Sequence, residues 1–468
     1  QVREDLGLAF CMSWSTADTH GFVRTCTLRR LSGNTVRVRI LDGLRNILPA
    51  GVSQRLQSLS SNLADAYKTC TLASGSTCAI YALQSQIVDL PKPVEATRAS
   101  IVWSTGLPDA TIALSDRNID AFRAGEILPA EHQTRGLRGS YLLSSTVELE
   151  PEQSLDWQLV ADTNLDQTQV VARCRQAQDT HAIKINREAV ASSTQQLRQL
   201  VAAADGCQTS GDEATTAHHF ANVLFNVMRG GTFMTDHRLP MADFSGHVAI
   251  HNHAAAQRHA DFLAALPSEL ERSDLLARVT ALEDPDLSRI ATSYLPLTFS
   301  RRHGDPSRPW NKFSIRLRNS QGQRRLAYEG NWRDIFQNWE ALCLSYPEFL
   351  DAAIAKFLNA STADGYNPYR ITQAGIEWEE PDPEDPWASI GYWGDHQVVY
   401  LLKLLEWSAR LHPSRLAGSL RPASFSYADV PYRITGYDEL RQDPRNTITF
   451  AADYNKEISS RVESMGAD

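Results

Sequence analysis

Between Tyr328 and Phe349 the sequence reads YEGNWRDIFQNWEALCLSYPEF, and it concentrates planar rings and hydrogen-bonding groups in one short segment. Trp332 and Trp339 bracket Arg333, Asp334, Gln337 and Asn338. An ordinary buried helix fills its apolar positions with Leu, Ile and Ala, and an ordinary surface helix does not spend two tryptophans. The combination suits a ligand that is flat and covered in hydroxyls. A sugar stacks its C–H face on an aromatic ring and offers vicinal hydroxyls to Arg, Asp, Asn, Gln and Glu. Seven of the ten tryptophans lie in the stretch from Trp310 to Trp407. Trp339 and Trp407 sit mid-helix and read as packing residues. Trp332, Trp378, Trp387 and Trp393, beside Arg, Glu, Asp and Gly at helix starts or in loops, read as sugar contacts.

Glycosyl transfer needs an acid to protonate the leaving oxygen, and a nucleophile that is a carboxylate, an activated water or a phosphate. The carboxyl candidates are Asp334, Glu377, Glu379, Glu380, Asp382, Glu384, Asp385 and Asp395. Most of the run EWEEPDPEDP reads as a solvated acidic turn, with Glu377 and Glu379, on either side of Trp378, as the exceptions. Asp334 in a first turn and Asp395 before a helix also have plain roles, with the helix dipole and as an N-cap. Catalysis is therefore expected from Asp334, Glu379 and Asp395. Sugar binding is expected from Trp332, Arg333, Gln337, Asn338, Tyr366, Arg370, Trp378, Trp393 and His396, the last suited to a phosphate or a sugar hydroxyl.

A second chemistry is a metal site. His237, His247, His251, His253 and His259 cluster within DHRLPMADFSGHVAIHNHAAAQRH, and the four-residue step from His247 to His251 puts both on one helix face. There is no H-E-x-x-H, and the expectation is no metal. The seven cysteines form no C-x-x-C and read as reduced thiols of a cytoplasmic protein, with Cys70 and Cys78 the pair open to bridging in an oxidising compartment. A net charge of -9 argues against nucleic acid or an anionic membrane as partner. No apolar run approaches the roughly 20 residues of a membrane-spanning helix.

The elements that must position these residues change character along the 468 residues. NTVRVRIL alternates as a half-buried strand does, and ASIVWST, ATIALS and GSYLLSSTVELEPEQSLDWQLVADT add short strands broken by turn residues. Residues 1–163 are therefore expected to form an antiparallel β-sandwich. Ser53 to Leu72 allows helix or a long loop. From Asn164 the period becomes helical in NLDQTQVVARCRQAQ and REAVASSTQQLRQLVAAAD, giving a helical linker over 164–211. From 212 to 468 helices dominate. TTAHHFANVLFNVMRGG opens on Thr caps and closes on Gly-Gly, and GHVAIHNHAAAQRHADFLAAL reads as one helix. NWRDIFQNWEALCLS, PEFLDAAIAKFLNAS, DHQVVYLLKLLEWSARLH and TFAADYNKEISSRVE follow. The loop at 364–394, rich in rings and carboxylates, is expected to line the same pocket as Arg333 and Asp334.

NWRDIFQNWEALCLSYPEF resembles the Arg-Asp-x-x-Gln-Asp segment of cellobiose-phosphorylase-like glycoside phosphorylases. DGYNPYRI through WASIGYWGDHQVVYLLKLLE resembles that family's next loop and helix, and GSYLLSSTVELEPEQSLDWQLV its last sandwich strands. The likeness runs in order along most of the chain. It implies a β-sandwich, a helical linker and an (α/α)6-barrel-type domain. It implies that Arg333 and Asp334 hold hydroxyls of the sugar on the non-reducing side of the scissile bond. Two departures stand out. Asn338 occupies the place of the family's Asp, and its Gly-Asp-Trp-Asn-Asp acid motif does not occur after Asp334.

The function expected is cleavage or phosphorolysis of the glycosidic bonds of a β-glucan-type oligosaccharide, with inorganic phosphate as candidate co-substrate and no other cofactor. The alternatives are a hydrolase without phosphate, a non-catalytic carbohydrate-binding protein, and a His-cluster metal-dependent hydrolase. Twelve barrel helices need on the order of 350 residues or more, and 212–468 is shorter. The helical domain is therefore expected to be an amino-terminal part, completed by the remainder of the polypeptide or by a second chain. A homodimer is a further candidate assembly.

Overall fold

The computed structural model describes the chain except for residues 89–90, 93, 118, 234–236, 301–317, 320–322, 364, 379–395, 422 and 445–447. It divides into two compact units, Gln1–Leu197 and Arg198–Asp468. Each is described by itself.

The strands of the first unit are β1 (Val2–Arg3), β2 (Leu8–Ala17), β3 (Gly21–Arg30), β4 (Val36–Ile47), β5 (Lys68–Leu72), β6 (Ala79–Leu83), β7 (Ala99–Thr105), β8 (Thr111–Ala113), β9 (Gln133–Arg135), β10 (Gly139–Leu149) and β11 (Ser154–Leu165). They pair antiparallel into an eight-stranded sheet, β1-β2-β3-β11-β7-β6-β5-β9, and a three-stranded sheet, β4-β10-β8. Period-two alternation sorts the side chains. Trp157 and Leu159 of β11 and Val102 of β7 enter the core between the sheets with Ile40, Leu143 and Val147. Val160, Ile101 and Trp103 face the other way. Short helices α1 (Gln54–Leu59) and α2 (Ser61–Ala66) precede β5, and α3 (Ile119–Arg123) follows β8.

After β11 the chain turns into α4 (Gln167–Gln176) through a capping box, in which Asp166 and Gln169 satisfy each other's backbone N–H groups. Val170 of α4 joins Ile101 and Trp103, so this helix covers the outer face of the large sheet. The longer α5 (Ala182–Ala203) follows.

The second unit takes in the end of α5 and continues with α6 (Glu213–Gly230). Its cap is Asp212, which accepts from the Thr215 N–H at 2.8 Å, and not a threonine as the sequence suggests. The expected single helix after Gly246 is instead three: α7 (Met241–His251), α8 (His253–Arg258) and α9 (Ala260–Ala264). Asn252 ends the first by leaving helical geometry and capping the Ala255 N–H; its side chain competes with the helix for the same backbone groups. Next come α10 (Arg272–Thr280), α11 (Pro285–Ser293), α12 (Trp332–Ser345), α13 (Leu350–Ala360), α14 (His396–Leu411), α15 (Pro413–Ser419), α16 (Tyr437–Gln442) and α17 (Ala452–Met465). In α12, Trp332, Ile335, Phe336, Trp339, Leu342 and Cys343 form one buried stripe at helical spacing. Alpha13 is apolar nearly all round and lies in the core. Alpha12 packs on α6 and α14, α14 on α13, and α13 on α11.

Four small antiparallel sheets tie the loops down: β12 (Thr232–Phe233) with β15 (Leu297–Thr298), β13 (Arg238–Pro240) with β14 (Glu269–Glu271), β16 (Glu329–Asn331) with β17 (Arg370–Thr372) and β18 (Gly375–Glu377), and β19 (Tyr432–Ile434) with β20 (Ile448–Phe450). No helix among the described residues is long and apolar enough to cross a membrane.

Candidate functional site

The sheet β16–β17–β18 is the hub of the candidate site. Beta16 runs directly into α12, so it sets where Arg333 and Asp334 emerge. The Trp332 N–H donates to the Tyr369 carbonyl at 3.0 Å, and the Tyr369 N–H donates to the Glu377 carbonyl at 2.9 Å. Arg370 reaches Glu329 on one neighbouring strand and Glu377 on the other, a guanidinium shared between two carboxylates. It is thus occupied in holding the sheet together.

Asp334 and Arg333 are both partly buried at the start of α12. His396, the first residue of α14, brings its Nε2 to 3.7 Å from Asp334 Oδ1. Gln337 is exposed. Asn338 is buried, and its amide donates to Asn226 Oδ1 of α6 at 2.8 Å. Trp332 is fully buried against Phe336 and Phe357, with its indole N–H donating to Asn367 Oδ1 at 2.9 Å. No face of that ring is left for a sugar. Trp339 donates to the Gly230 carbonyl and Trp407 to Glu340, both as packing residues. Glu379, Asp395 and Trp393, with Glu380, Asp382, Glu384, Asp385 and Trp387, lie outside the described residues.

The loop from α13 to β17 opens a cleft. Asn367, itself buried, accepts from Trp332 and from Ser361 Oγ and donates to the Gly365 carbonyl, fixing the loop against the core. Gly365 takes a φ of 88°, which a side chain would strain. Beyond this turn Tyr366 stacks on Trp378 with ring centroids 5.8 Å apart, and Tyr432 lies 5.9 Å from Tyr366 and 6.1 Å from Trp378. A cavity of about 390 Å³ opens here, lined by Thr362, Tyr366, Tyr427, Asp429 and Tyr432 among others. Its far wall is pinned to the end of α13, because the Ala428 N–H donates to the Ser361 carbonyl and the Ser426 N–H to Asn359. Asp429 accepts from Tyr454 and Arg461.

Of the sequence candidates, Tyr366 lines the cleft with Trp378 stacked against its ring, while Asp334 and His396 share a helix-start pair. Tyr427, Asp429 and Tyr432 were missed. They sit in SYADVPYRI, where two tyrosines near a carboxylate were the available signal.

Asp243 of α7 was missed as well. It accepts from Tyr294 Oη at 2.6 Å and from Gln373, in the turn after β17, at 3.2 Å. Burial pushes its carboxyl above the usual range, against the pull of those two hydrogen bonds. The histidines nearby do not form a metal cage. The His247 and His251 rings lie tilted against each other with centroids 3.9 Å apart, and burial holds both imidazoles neutral. His259 pairs with Asp284, and His237 with Glu348. Among the described residues no three His, Cys, Asp or Glu side chains could jointly hold a metal ion.

Residues 233–296 match the family model of glycoside hydrolase family 149 insertion domain 1. That segment covers Asp243 and the histidines and stops short of Trp332. The match ties that segment, and no other part of the chain, to a domain found in a glycoside hydrolase family. No curated protein matches the chain. Among solved structures, a family GH92 α-mannosidase from Bacteroides thetaiotaomicron matches at 6% identity and a TM-score of 0.26, over 51% of this chain and 28% of that one. The same enzyme in complex with mannoimidazole matches at 8% identity and a TM-score of 0.27, over 89% of this chain and 58% of that one. The chain therefore spans less than two thirds of that enzyme's length, and TM-scores this low carry no argument about either fold or activity.

Proposed function

We propose that the helical unit binds a β-glucan-type oligosaccharide in the cleft of Tyr366, Tyr427 and Tyr432, where Trp378 stacks on Tyr366. It then takes part in acid-assisted cleavage or phosphorolysis of the glycosidic bonds. The observation that carries this is the cleft itself: several rings and a carboxylate around a cavity of about 390 Å³, in a chain with a segment that matches a domain of a glycoside hydrolase family. Rings present flat apolar faces to sugar C–H groups, and Thr362 and Asp429 offer hydrogen-bonding groups at the edge. Arg333 and Asp334 lie at the start of α12, which the cleft loop braces through Asn367 and Tyr369, and His396 lies at the start of α14. Asp334, Glu379 and Asp395 are the carboxyl groups proposed for the acid step. Inorganic phosphate as the nucleophile would call on Arg333 and His396. Seven free cysteines fit a reducing compartment, the cytoplasm.

A second reading is carbohydrate binding without turnover. Asp429, the carboxylate of the described cleft lining, is held by Tyr454 and Arg461, so it is not free to serve as an acid. The unit is further proposed as part of an (α/α)6-barrel-type domain. Val398, Val399 and Leu402 make an exposed apolar stripe on α14 that helices from the remaining polypeptide or a second chain would cover.

The test is incubation of the intact protein with a panel of β-glucans, with and without phosphate. Release of a sugar 1-phosphate supports phosphorolysis, and new reducing ends without phosphate support hydrolysis. Binding in calorimetry without either product supports the second reading. No binding to any glucan overturns the proposal.

A further inference from the structure

In the first unit, Cys78 and Cys174 meet on the outer face of the large sheet. Cys78 stands immediately before β6 and is fully buried; Cys174 lies near the end of α4 and is partly exposed. Cys174 packs against the apolar cluster that contains Cys78, and each thiol shifts the protonation of the other. The backbone around them is clamped. Ser76 Oγ donates to the Cys174 carbonyl at 3.1 Å and accepts from the Cys78 N–H at 3.2 Å. Gln178 adds a hydrogen bond to the Gly75 carbonyl at 3.0 Å. Cys70, the partner the sequence suggested for Cys78, belongs to the cluster between the sheets, on the opposite face.

The pair is chemically unequal. The neighbouring Cys78 thiol favours the Cys174 thiolate and draws that group below the usual thiol range. The same proximity, with burial, pushes Cys78 up. Cys174 is therefore the more reactive sulfur and the one that solvent reaches.

We propose that Cys78 and Cys174 are an oxidation site, a thiol pair that a peroxide converts into an internal disulfide tying α4 to the loop before β6. The Cys174 thiolate attacks the O–O bond of hydrogen peroxide. An S–O bond forms, O–O breaks, and the departing hydroxide takes a proton to become water. Cys174 is left as the sulfenic acid. The Cys78 sulfur then attacks the Cys174 sulfur. S–S forms, S–O breaks, and the hydroxyl leaves as water with the Cys78 proton. The two thiols lose two electrons and the peroxide gains them. The disulfide locks the helix that follows the sandwich onto its sheet, so peroxide stiffens this unit.

The experiment uses the full chain with the exposed Cys11 and Cys207 replaced by serine. It is treated with hydrogen peroxide, mapped by mass spectrometry without reductant, and melted. The expected result is a Cys78–Cys174 cross-linked peptide pair that dithiothreitol reverses. Closing a loop of about a hundred residues should raise the melting temperature of this unit by roughly 10 °C. Cys174→Ser removes both effects, and Cys78→Ala leaves a Cys174 sulfenic acid that dimedone traps. Cross-linking of Cys78 to Cys70, over-oxidation of Cys174 with no cross-link, retention of both thiols, or a melting shift that survives Cys174→Ser would each overturn the proposal.

Discussion

His396 Nε2 stands 3.7 Å from Asp334 Oδ1, joining the first residue of α14 to the first turn of α12. Both side chains keep about a third of their surface in solvent, at 39% and 32%. A contact this open adds little stability by itself. Asp334→Asn keeps the shape and removes the charge. Oligosaccharide affinity is expected to fall about tenfold, or about 1.4 kcal/mol, as a hydrogen bond to a charged group is lost. Unfolding stability should move by less than about 1 kcal/mol. Calorimetric titration beside a urea melt reads both, and unchanged affinity would place the sugar elsewhere.

Tyr427 offers the cleanest probe of the cleft because its ring is 70% exposed while lining the cavity. Tyr427→Ala should leave stability within about 0.5 kcal/mol, as surface changes usually do. It should weaken oligosaccharide binding about three- to tenfold by removing one stacking ring. Trp378 supplies a matching optical signal. Saturating oligosaccharide is expected to change tryptophan fluorescence in the unaltered protein, and that change should vanish in Trp378→Phe.

Trp332 should behave in the opposite way. Its ring is sealed between Phe336 and Phe357, and its N–H is bound to Asn367. Trp332→Phe opens a small void and removes one buried hydrogen bond, while Ser361 still donates to Asn367. The expected cost is about 1–3 kcal/mol of stability, with oligosaccharide affinity unchanged within about twofold. A large affinity loss at unchanged stability would return this ring to the binding surface.

The contrast between Trp332 and Trp378 shows what composition makes legible. Alternation in VRVRIL, and the stripe from Trp332 to Cys343, follow from periods that local geometry imposes, so strand and helix types could be read directly. Which tryptophan faces a ligand depends on the partners that close around it. Phe357 and Asn367, which bury Trp332, come from a later helix and loop. The same limit hid Tyr432 and Asp243. One gains its role from a strand far along the chain, the other from Tyr294 and Gln373. Asn252 hid for a different reason. A single side-chain cap outweighed an otherwise continuous helical period.

Lys356, on α13, is buried with only 9% of its surface exposed, close enough to His247 and His251 of α7 to oppose their protonation. Burial holds its ammonium down to about 8, although the Asp468 carboxylate pulls the other way. An unfolded lysine titrates near 10.4. Between those values the unfolded chain carries the proton and the folded chain does not, so stability rises with pH across that window. Below about pH 8 both states are charged and the folded state bears the full cost. The histidines stay neutral throughout, with His251 held down to about 3. Lys356→Met, similar in length and uncharged, should therefore stabilise the protein at pH 7 by up to about 3 kcal/mol. That advantage should shrink steadily from pH 8 to pH 10, as read by urea unfolding at each pH. An advantage that stays constant with pH would trace the gain to packing. A loss of stability at pH 7 would mean that the ammonium has a compensating partner in the folded chain.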